Sequence, residues 1–151
     1  MPDNENAVRR LLSIKNRDED KGLILIAGSR RQFDEWIDTE ADLPSTAADP
    51  VTWIAPVGPR TPAWIHGRFT TVAVRLVDHP IAAELCIRAD SPLVSTSANL
   101  GGEPATKDLG LIRRQFSDQV DYVVSGVCGP AQGPSRIRDI ETGEIHRASS
   151  T

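Results

Sequence analysis

Cysteine is scarce in this sequence: two residues in 151, Cys86 and Cys128, far apart and without a Cys-x-x-Cys partner. That excludes a zinc finger and argues against a disulfide scaffold. Long apolar runs are missing too, so no segment reads as a membrane-spanning helix. Basic residues are outnumbered, 17 Lys and Arg against 21 Asp and Glu, for a net charge of −4. A generally basic, polyanion-coating surface is therefore excluded, and any contact with a nucleotide or RNA must come from a local cluster of cations. Neither G-x-x-x-x-G-K-[ST] nor G-x-G-x-x-G occurs, so both common phosphate loops are absent. No G-x-S-x-G surrounds a serine, which disfavours a serine nucleophile. His66, His79 and His146 are scattered, with no two at metal-ligand spacing, and read as surface or turn residues. Met1 to Arg10 is polar and acidic, unlike a signal peptide. What remains is the composition of an ordinary globular chain, 39% hydrophobic and 25% charged. The expectation is one cytoplasmic domain large enough to bury a core.

Periodicity supplies the elements. Val8, Leu11, Leu12 and Ile14 form a helical face behind a Pro2-Asp3-Asn4 cap. Leu23 to Ala27 is a short apolar run after Gly22 and reads as a strand buried on both faces. Arg31 to Ile37 reads as a helix, and the acidic stretch to Pro50 as a solvated loop. Val51 to Ala55 is a strand ending at Pro56, and the Pro- and Gly-rich stretch to Arg68 is a loop. Thr71 to Val77 alternates and is rich in β-branched residues, which predicts a strand. Pro80 opens a helix carrying Ile81, Ala82, Leu85 and Cys86. Pro92 to Ser95 is a short strand, Leu109, Ile112 and Phe116 share a helical face, and Val120 to Val124 reads as a further strand. Ile137–Ile140 and Glu144–His146 form a closing hairpin around Thr142-Gly143. Alternating strands and helices with at least one hairpin predict an α/β fold: a single-domain, twisted mixed sheet with packed helices.

Three clusters could carry chemistry. Lys15 and Arg17, with Lys21 just before the buried strand, can converge on an anion, Arg as a fork and Lys as a compact charge. The same cations would also complement a helix C-terminus. Ser95-Thr96-Ser97-Ala98-Asn99-Leu100-Gly101-Gly102 ends a strand in hydroxyls, an amide and glycines. Such a turn can present donors to phosphate or carboxylate, or simply close on itself. Gly133-Pro134-Ser135 leads into a strand bearing Arg136 and Arg138. Arg75 sits mid-strand, where an arginine needs a partner or a ligand. Trp36, Trp53 and Trp64 read as core or loop anchors.

In this order, Lys15-Asn16-Arg17, the strand after Asp20-Lys21-Gly22, Pro50-Val51-Thr52, Val72-Ala73-Val74-Arg75, Ser97-Ala98-Asn99 and Pro134-Ser135 resemble the YrdC-like family, the threonylcarbamoyl-AMP synthases. The likeness runs from about Pro2 to Arg147. It implies a YrdC-like fold with a concave, positively charged face. It implies condensation of L-threonine, bicarbonate and ATP to threonylcarbamoyl-AMP and pyrophosphate, with Mg²⁺ bridging the phosphates. The product then serves threonylcarbamoyladenosine modification of tRNA, with tRNA-modification proteins and tRNA itself as partners. Carried over by motif, Arg17, Lys21, Ser97 and Arg147 would face ATP. Arg75, Ser95 and Ser135 would face threonine or its carbamate. Lys15, Arg17, Ser97 and Asn99 make up the catalytic Lys-x-Arg and Ser-x-Asn set, and no protein metal ligand is expected.

The resemblance also has departures. The family has a further strand and a Pro-Thr-Glu segment, whose Thr helps bind the amino acid, ahead of the helix at which this sequence starts. The expectation is thus a YrdC-like domain over 1–151 that lacks this segment, with its ATP contacts largely kept. Ala48-Asp49 stands where Trp-Pro-Gly often precedes Pro-Val-Thr, and Gly101-Gly102 where a Ser often follows the Asn. Two other readings stand beside the synthase. One is a non-catalytic nucleotide- or RNA-binding module of the same fold. The other is a carbamoyl-adenylate enzyme for a different acceptor, as in hydrogenase-maturation proteins, whose zinc-finger and acylphosphatase-like parts do not fit in 151 residues with two Cys.

Overall fold

The computed structural model describes residues 1–46, 48–100, 103–131 and 133–148. Helix α1 (Glu5–Lys15) starts where the Asn4 side chain accepts from Ala7 N at 3.1 Å. That contact satisfies one of the donors a helix start leaves open. Val8 and Leu12 face the core, and the helix stops at Asn16, whose left-handed φ of 45° turns the chain back. A 3₁₀ turn over Glu19–Lys21 leads into β1 (Ile24–Ala27), and a second 3₁₀ turn, Arg30–Phe33, follows it. Then come β2 (Val51–Pro56), α2 (Ala63–His66), β3 (Thr71–Leu76), α3 (Pro80–Ala89) and β4 (Leu93–Ser95). The last elements are α4 (Leu109–Phe116), β5 (Arg136–Asp139) and β6 (Ile145–Arg147).

The strands form one six-stranded sheet in the order β4-β1-β3-β2-β5-β6. β1 with β3 and β2 with β5 run parallel; the other three neighbours are antiparallel. The mixed α/β sheet inferred from the alternating pattern is therefore present. Because side chains alternate along a strand, the sheet has two unlike faces. One carries Leu25, Ala27, Val51, Trp53, Ala55, Val72 and Val74, all buried in a core with Val8, Leu12, Phe33, Trp36, Ile37 and Leu43. The other bears Ile24, Ile54, Thr71, Ala73, Arg75, Ser95 and Ile137, which line an open cleft.

Four sequence expectations are corrected. β1 is enclosed on one face only: Leu25 and Ala27 have no exposure, while Ile24 and Ile26 are half-buried. The helix expected over Arg31 to Ile37 is a single 3₁₀ turn. The Gln32 side chain accepts from Gly28 N and Ser29 N and donates to Cys86 O, and Ile37 leaves the helical path to bridge Val57. The loop expected over Pro56 to Arg68 contains α2, which forms because Ile65 has a buried place to fill. Val120 to Val124 is no strand, since Tyr122 is 79% exposed and Val124 also faces solvent. β-propensity without a face to bury does not make a strand.

The start of β1 is pinned by glycine. At Gly67, with φ of +62°, an added Cβ would lie 2.6 Å from Asp20 O, so the Glu19–Lys21 turn can pack on α2 only because no side chain is there. Leu23 N donates to Ile65 O at 2.8 Å across the same contact. This fixes where Lys21 and Gly22 enter the cleft.

Candidate functional site

The cleft on the open sheet face has a volume of about 630 Å³, within the range of small-molecule sites. Sheet register sets its floor. Ser95 pairs with Ile24, Ile24 with Ala73 and Ala73 with Ile54, so these four stand in a row across β4, β1, β3 and β2. Around this largely apolar floor lie Arg17, Lys21, Arg75 and Arg147, with no Asp or Glu in the lining. In a chain of net charge −4, a wall that among the described residues has four cations and no carboxylate has a composition that favours anions.

Arg75 is the clearest case. It reaches the cleft from mid-β3, its Nε is buried, and that atom has no hydrogen-bond partner among the described residues. Burial holds its guanidinium below the ordinary arginine range, and the charge of Arg147 pushes the same way. A half-buried cation that faces another cation, with no acid in the lining of the cleft among the described residues, is an arrangement that an anionic ligand relieves. Burial lowers Arg147 as well. Its Nε and Nη2 donate to Ser135 O at 3.0 and 2.7 Å, which fixes the guanidinium plane.

Ser135 is itself buried, and its Oγ lies 2.7 Å from Thr52 Oγ1. Ser135 thus ties β2 to the arginine of β6. Ser135→Ala leaves the Thr52 hydroxyl buried without that partner, at a cost of about 1–3 kcal/mol. The expected result is a Tm lowered by several degrees together with weaker anion binding, checked by thermal unfolding and calorimetry. An unchanged Tm would remove the tie.

The left-handed turn at Asn16 sends Lys15 and Arg17 to different jobs. Arg17 donates from Nε and Nη2 to Gly22 O, at 3.2 and 2.8 Å, and lines the cleft beside Lys21. Lys15 is absent from the lining and holds the turn after β4. Its Nζ donates to Ser97 O at 2.8 Å, to Asn99 Oδ1 at 2.9 Å and also to Asn99 O. Burial and the nearby Arg17 lower its pKa. Ser97 Oγ donates to Asn99 Oδ1 at 2.5 Å, and Asn99 Nδ2 donates to Glu103 O. Ser95, Thr96 and Ser97 line the cleft, whereas Asn99 stands behind them. Gly101 and Gly102, the end of this turn in the sequence reading, lie outside the described residues.

The structure therefore brings Arg17, Lys21, Arg75, Ser95, Ser97, Ser135 and Arg147 to one cleft, with Lys15 and Asn99 bracing its rim. Sequence reasoning missed Thr71, His66, Phe69 and His146. Thr71 was within reach, since alternation along β3 puts it on Arg75's face. His66 and His146, read as surface or turn residues, line the cleft, and the buried Nδ1 of His66 has no hydrogen-bond partner among the described residues. Phe69, 44% exposed, sits at the mouth under the Arg68 guanidinium, 5.4 Å from the ring centroid. The three tryptophans are anchors as expected: Trp36 and Trp53 are buried, and Trp64 Nε1 donates to Pro2 O. No helix among the described residues is long and apolar enough to cross a membrane. No group of three His, Cys, Asp or Glu among them could hold a metal ion.

Comparisons with known proteins bear on the family and the fold. The sequence-family model for Sua5, YciO and YrdC, described as "Telomere recombination", matches residues 1–149. A threonylcarbamoyl-AMP synthase of Pseudomonas putida is 46% identical over 154 residues, covering 97% of this chain and 81% of its own. One of Klebsiella pneumoniae is 45% identical, covering 97% of this chain and 80% of its own. Among solved structures, P. abyssi Sua5 complexed with L-threonine superposes with a TM-score of 0.80 at 25% identity, over 91% of this chain. The chain spans 42% of that longer protein's length.

Proposed function

The chain belongs to the Sua5–YciO–YrdC family, and from that membership we propose that it is a threonylcarbamoyl-AMP synthase, a nucleotidyltransferase that uses L-threonine, bicarbonate and ATP. The observation that carries the reading is the make-up of the cleft. Four cations and the hydroxyls of Thr71, Ser95, Thr96, Ser97 and Ser135 face one open sheet, with no carboxylate among them.

The chemistry asks for what this wall offers. Threonine's amine condenses with bicarbonate to a carbamate, releasing water. A carbamate oxygen then forms a bond to the α-phosphorus of ATP while the bond to the bridging oxygen breaks and pyrophosphate leaves. No protein nucleophile takes part. The protein holds three anionic groups together and aligns them, which is where positioning and fixed charge lower a barrier. Arg17, Lys21 and Arg147 take the phosphates, with Ser97 donating a hydroxyl. Arg75, with Ser95 and Ser135, takes the threonine carboxylate or the carbamate. Lys15 and Asn99 keep the Ser97 turn in place.

The donor set does not fit a protein-bound Mg²⁺, since a hard dication wants carboxylate or carbonyl oxygens and the lining has no carboxylate. Any Mg²⁺ would be held by the triphosphate it accompanies. The product is a mixed anhydride and serves as the threonylcarbamoyl donor for tRNA adenosine, with tRNA-modification proteins as partners.

The test is pyrophosphate release measured with each substrate omitted in turn. Release is expected only when ATP, threonine and bicarbonate are all present. ATP binding without turnover would favour instead the non-catalytic nucleotide-binding module.

A further inference from the structure

The part of the cleft wall that carries Gly133, Pro134 and Ser135 is the end of a long connection. Between α4 and β5, the described residues of 121–135 contain no helix or strand. A second, smaller void of about 190 Å³ shares Arg75 and Gly133 with the cleft, and Gly129 and Ala131 of this connection line it together with His79. The connection thus walls two cavities, and side chains from other elements hold it. His79, at the head of α3, brings Nε2 to 2.9 Å from Val127 O. Lys107 donates from Nζ to Gly129 O at 3.1 Å and to Ala131 O at 2.7 Å, and the Cys128 thiol lies 4.0 Å from Lys107 O. An ammonium has three donors and no acceptor, so the carbonyls on either side of Pro130 make a seat for it.

Lys107 projects from a fixed base. It directly precedes Asp108, whose carboxylate accepts from Gly110 N at 2.7 Å and Leu111 N at 3.1 Å and so caps α4. Asp108 N donates to Thr106 Oγ1 at 3.0 Å, and Phe116 is buried at the other end of the helix. Ahead of Lys107 stands the turn after β4, which the Asn99 amide ties to Glu103 O. Lys107 therefore joins segments that belong to distant strands: β4 lies at one edge of the sheet, and β1, β3 and β2 separate it from β5. Each side carries cleft hydroxyls, Ser95 and Ser97 after β4 and Ser135 before β5, and Ser135 O fixes the Arg147 guanidinium.

We propose that Lys107 is a positioning residue, a clasp that sets the gap between the β4 wall and the β5 wall of the cleft. The consequence for catalysis rests on the synthase reading. In that reading ATP meets Ser97 on one wall and Arg147 on the other, and the threonine carbamate meets Ser95 and Ser135 in the same way. Both substrates touch both walls, so the gap governs how the carbamate oxygen lines up with the α-phosphorus. Lys107 is absent from the lining of the cleft and acts through the connection alone. Its contacts face solvent, and ordering a long side chain offsets most of what such bonds supply. The clasp sets position more than stability, and its effect belongs to kcat.

The test compares Lys107→Met, which keeps the stem and removes the donors, with Lys107→Arg, which keeps charge and donors. Hydrogen exchange of the free protein reads the clasp itself. In Lys107→Met the amides of residues 126–131 should exchange faster, while those of β1 and β3 keep their wild-type rates and Tm is unchanged. Pyrophosphate release reads the consequence. The kcat of Lys107→Met is expected to fall about tenfold to a hundredfold, with ATP affinity and stoichiometry by calorimetry and the KM for threonine near wild type. Lys107→Arg is expected to recover most of the rate; an Arg variant as slow as the Met variant would overturn donation to the two carbonyls as the cause. A fall in kcat matched by an equal loss of ATP-binding sites would make Lys107 a structural residue and overturn the positioning role. Unchanged exchange over 126–131 in Lys107→Met would overturn the clasp, and faster exchange with unchanged kcat would overturn its bearing on the reaction. A wild type that releases no pyrophosphate, beside a Lys107→Met protein whose connection loosens as expected, would keep the clasp and overturn the synthase reading instead.

Discussion

Arg75→Met is expected to abolish turnover and leave the protein as stable as before, or more so. The two effects share one cause. Arg75 is a half-buried cation whose buried Nε has no hydrogen-bond partner among the described residues, and Arg147 raises the cost of its charge. A charge taken partly out of water without an opposite charge costs free energy, so replacing it by an apolar side chain of similar length removes that cost. Methionine fills the stem's volume and removes the repulsion. Catalysis fares the opposite way. An arginine fork on a carboxylate makes two charge-assisted bonds of about 1.5–3 kcal/mol each, so its loss corresponds to about 10²–10⁴-fold in kcat/KM. The measurements are thermal unfolding of the free protein and kcat/KM for threonine. An inactive variant whose Tm also falls by several degrees would show that Arg75 is a structural residue. Stability given up at a site in exchange for function is a common pattern, and here it has a named residue and a sign.

The order of most elements was legible because it rests on local rules, whereas the concave, cationic face was an expectation carried by the family resemblance. Period-two alternation marked β3 and placed Arg75 mid-strand, and the Asn4 cap marked the start of α1. What failed depended on neighbours that no local rule sees. Val120 to Val124 has strand propensity and no face to bury, and Tyr122 stays exposed. Arg31 to Ile37 has helical spacing, but the Gln32 amide is drawn to Gly28, Ser29 and Cys86 O and the helix stops after one turn. His66, His79 and His146 gave no spacing signal, because each comes from a different element: His66 ends α2, His79 precedes α3 and His146 lies in β6. Their relation to the cleft and its side pocket exists only after folding. The Lys15–Asn99 contact is of the same kind, for it joins residues 84 positions apart. The sequence showed both members but not that they hold each other.

That contact makes the Lys15 and Asn99 variants non-additive, which is the second large effect expected. Two cations one residue apart suggest a shared grip on phosphate, yet only Arg17 lines the cleft while Lys15 Nζ is committed to three acceptors on the Ser97–Asn99 turn. Lys15→Ala removes those contacts and frees the turn that presents Ser97. A misplacement of about 1 Å at a reacting group can cost about 10²-fold in rate, and that is the loss expected in kcat. Asn99→Ala loosens the same turn from the other side, because it also deletes the amide that Ser97 Oγ bonds and the tie to Glu103 O. Residues acting through one turn do not add. The double variant should therefore be about as slow as the slower single, with a coupling energy of about 0.5–3 kcal/mol. Arg17→Ala is the contrasting case, for Arg17 lines the cleft itself. Its effect should appear in ATP affinity, about tenfold to a hundredfold, and should add to that of Asn99→Ala. ATP affinity by calorimetry and kcat by pyrophosphate release separate the two. If Lys15 instead held the triphosphate directly, Lys15→Ala would weaken ATP binding as Arg17→Ala does, and its effect would add fully to that of Asn99→Ala.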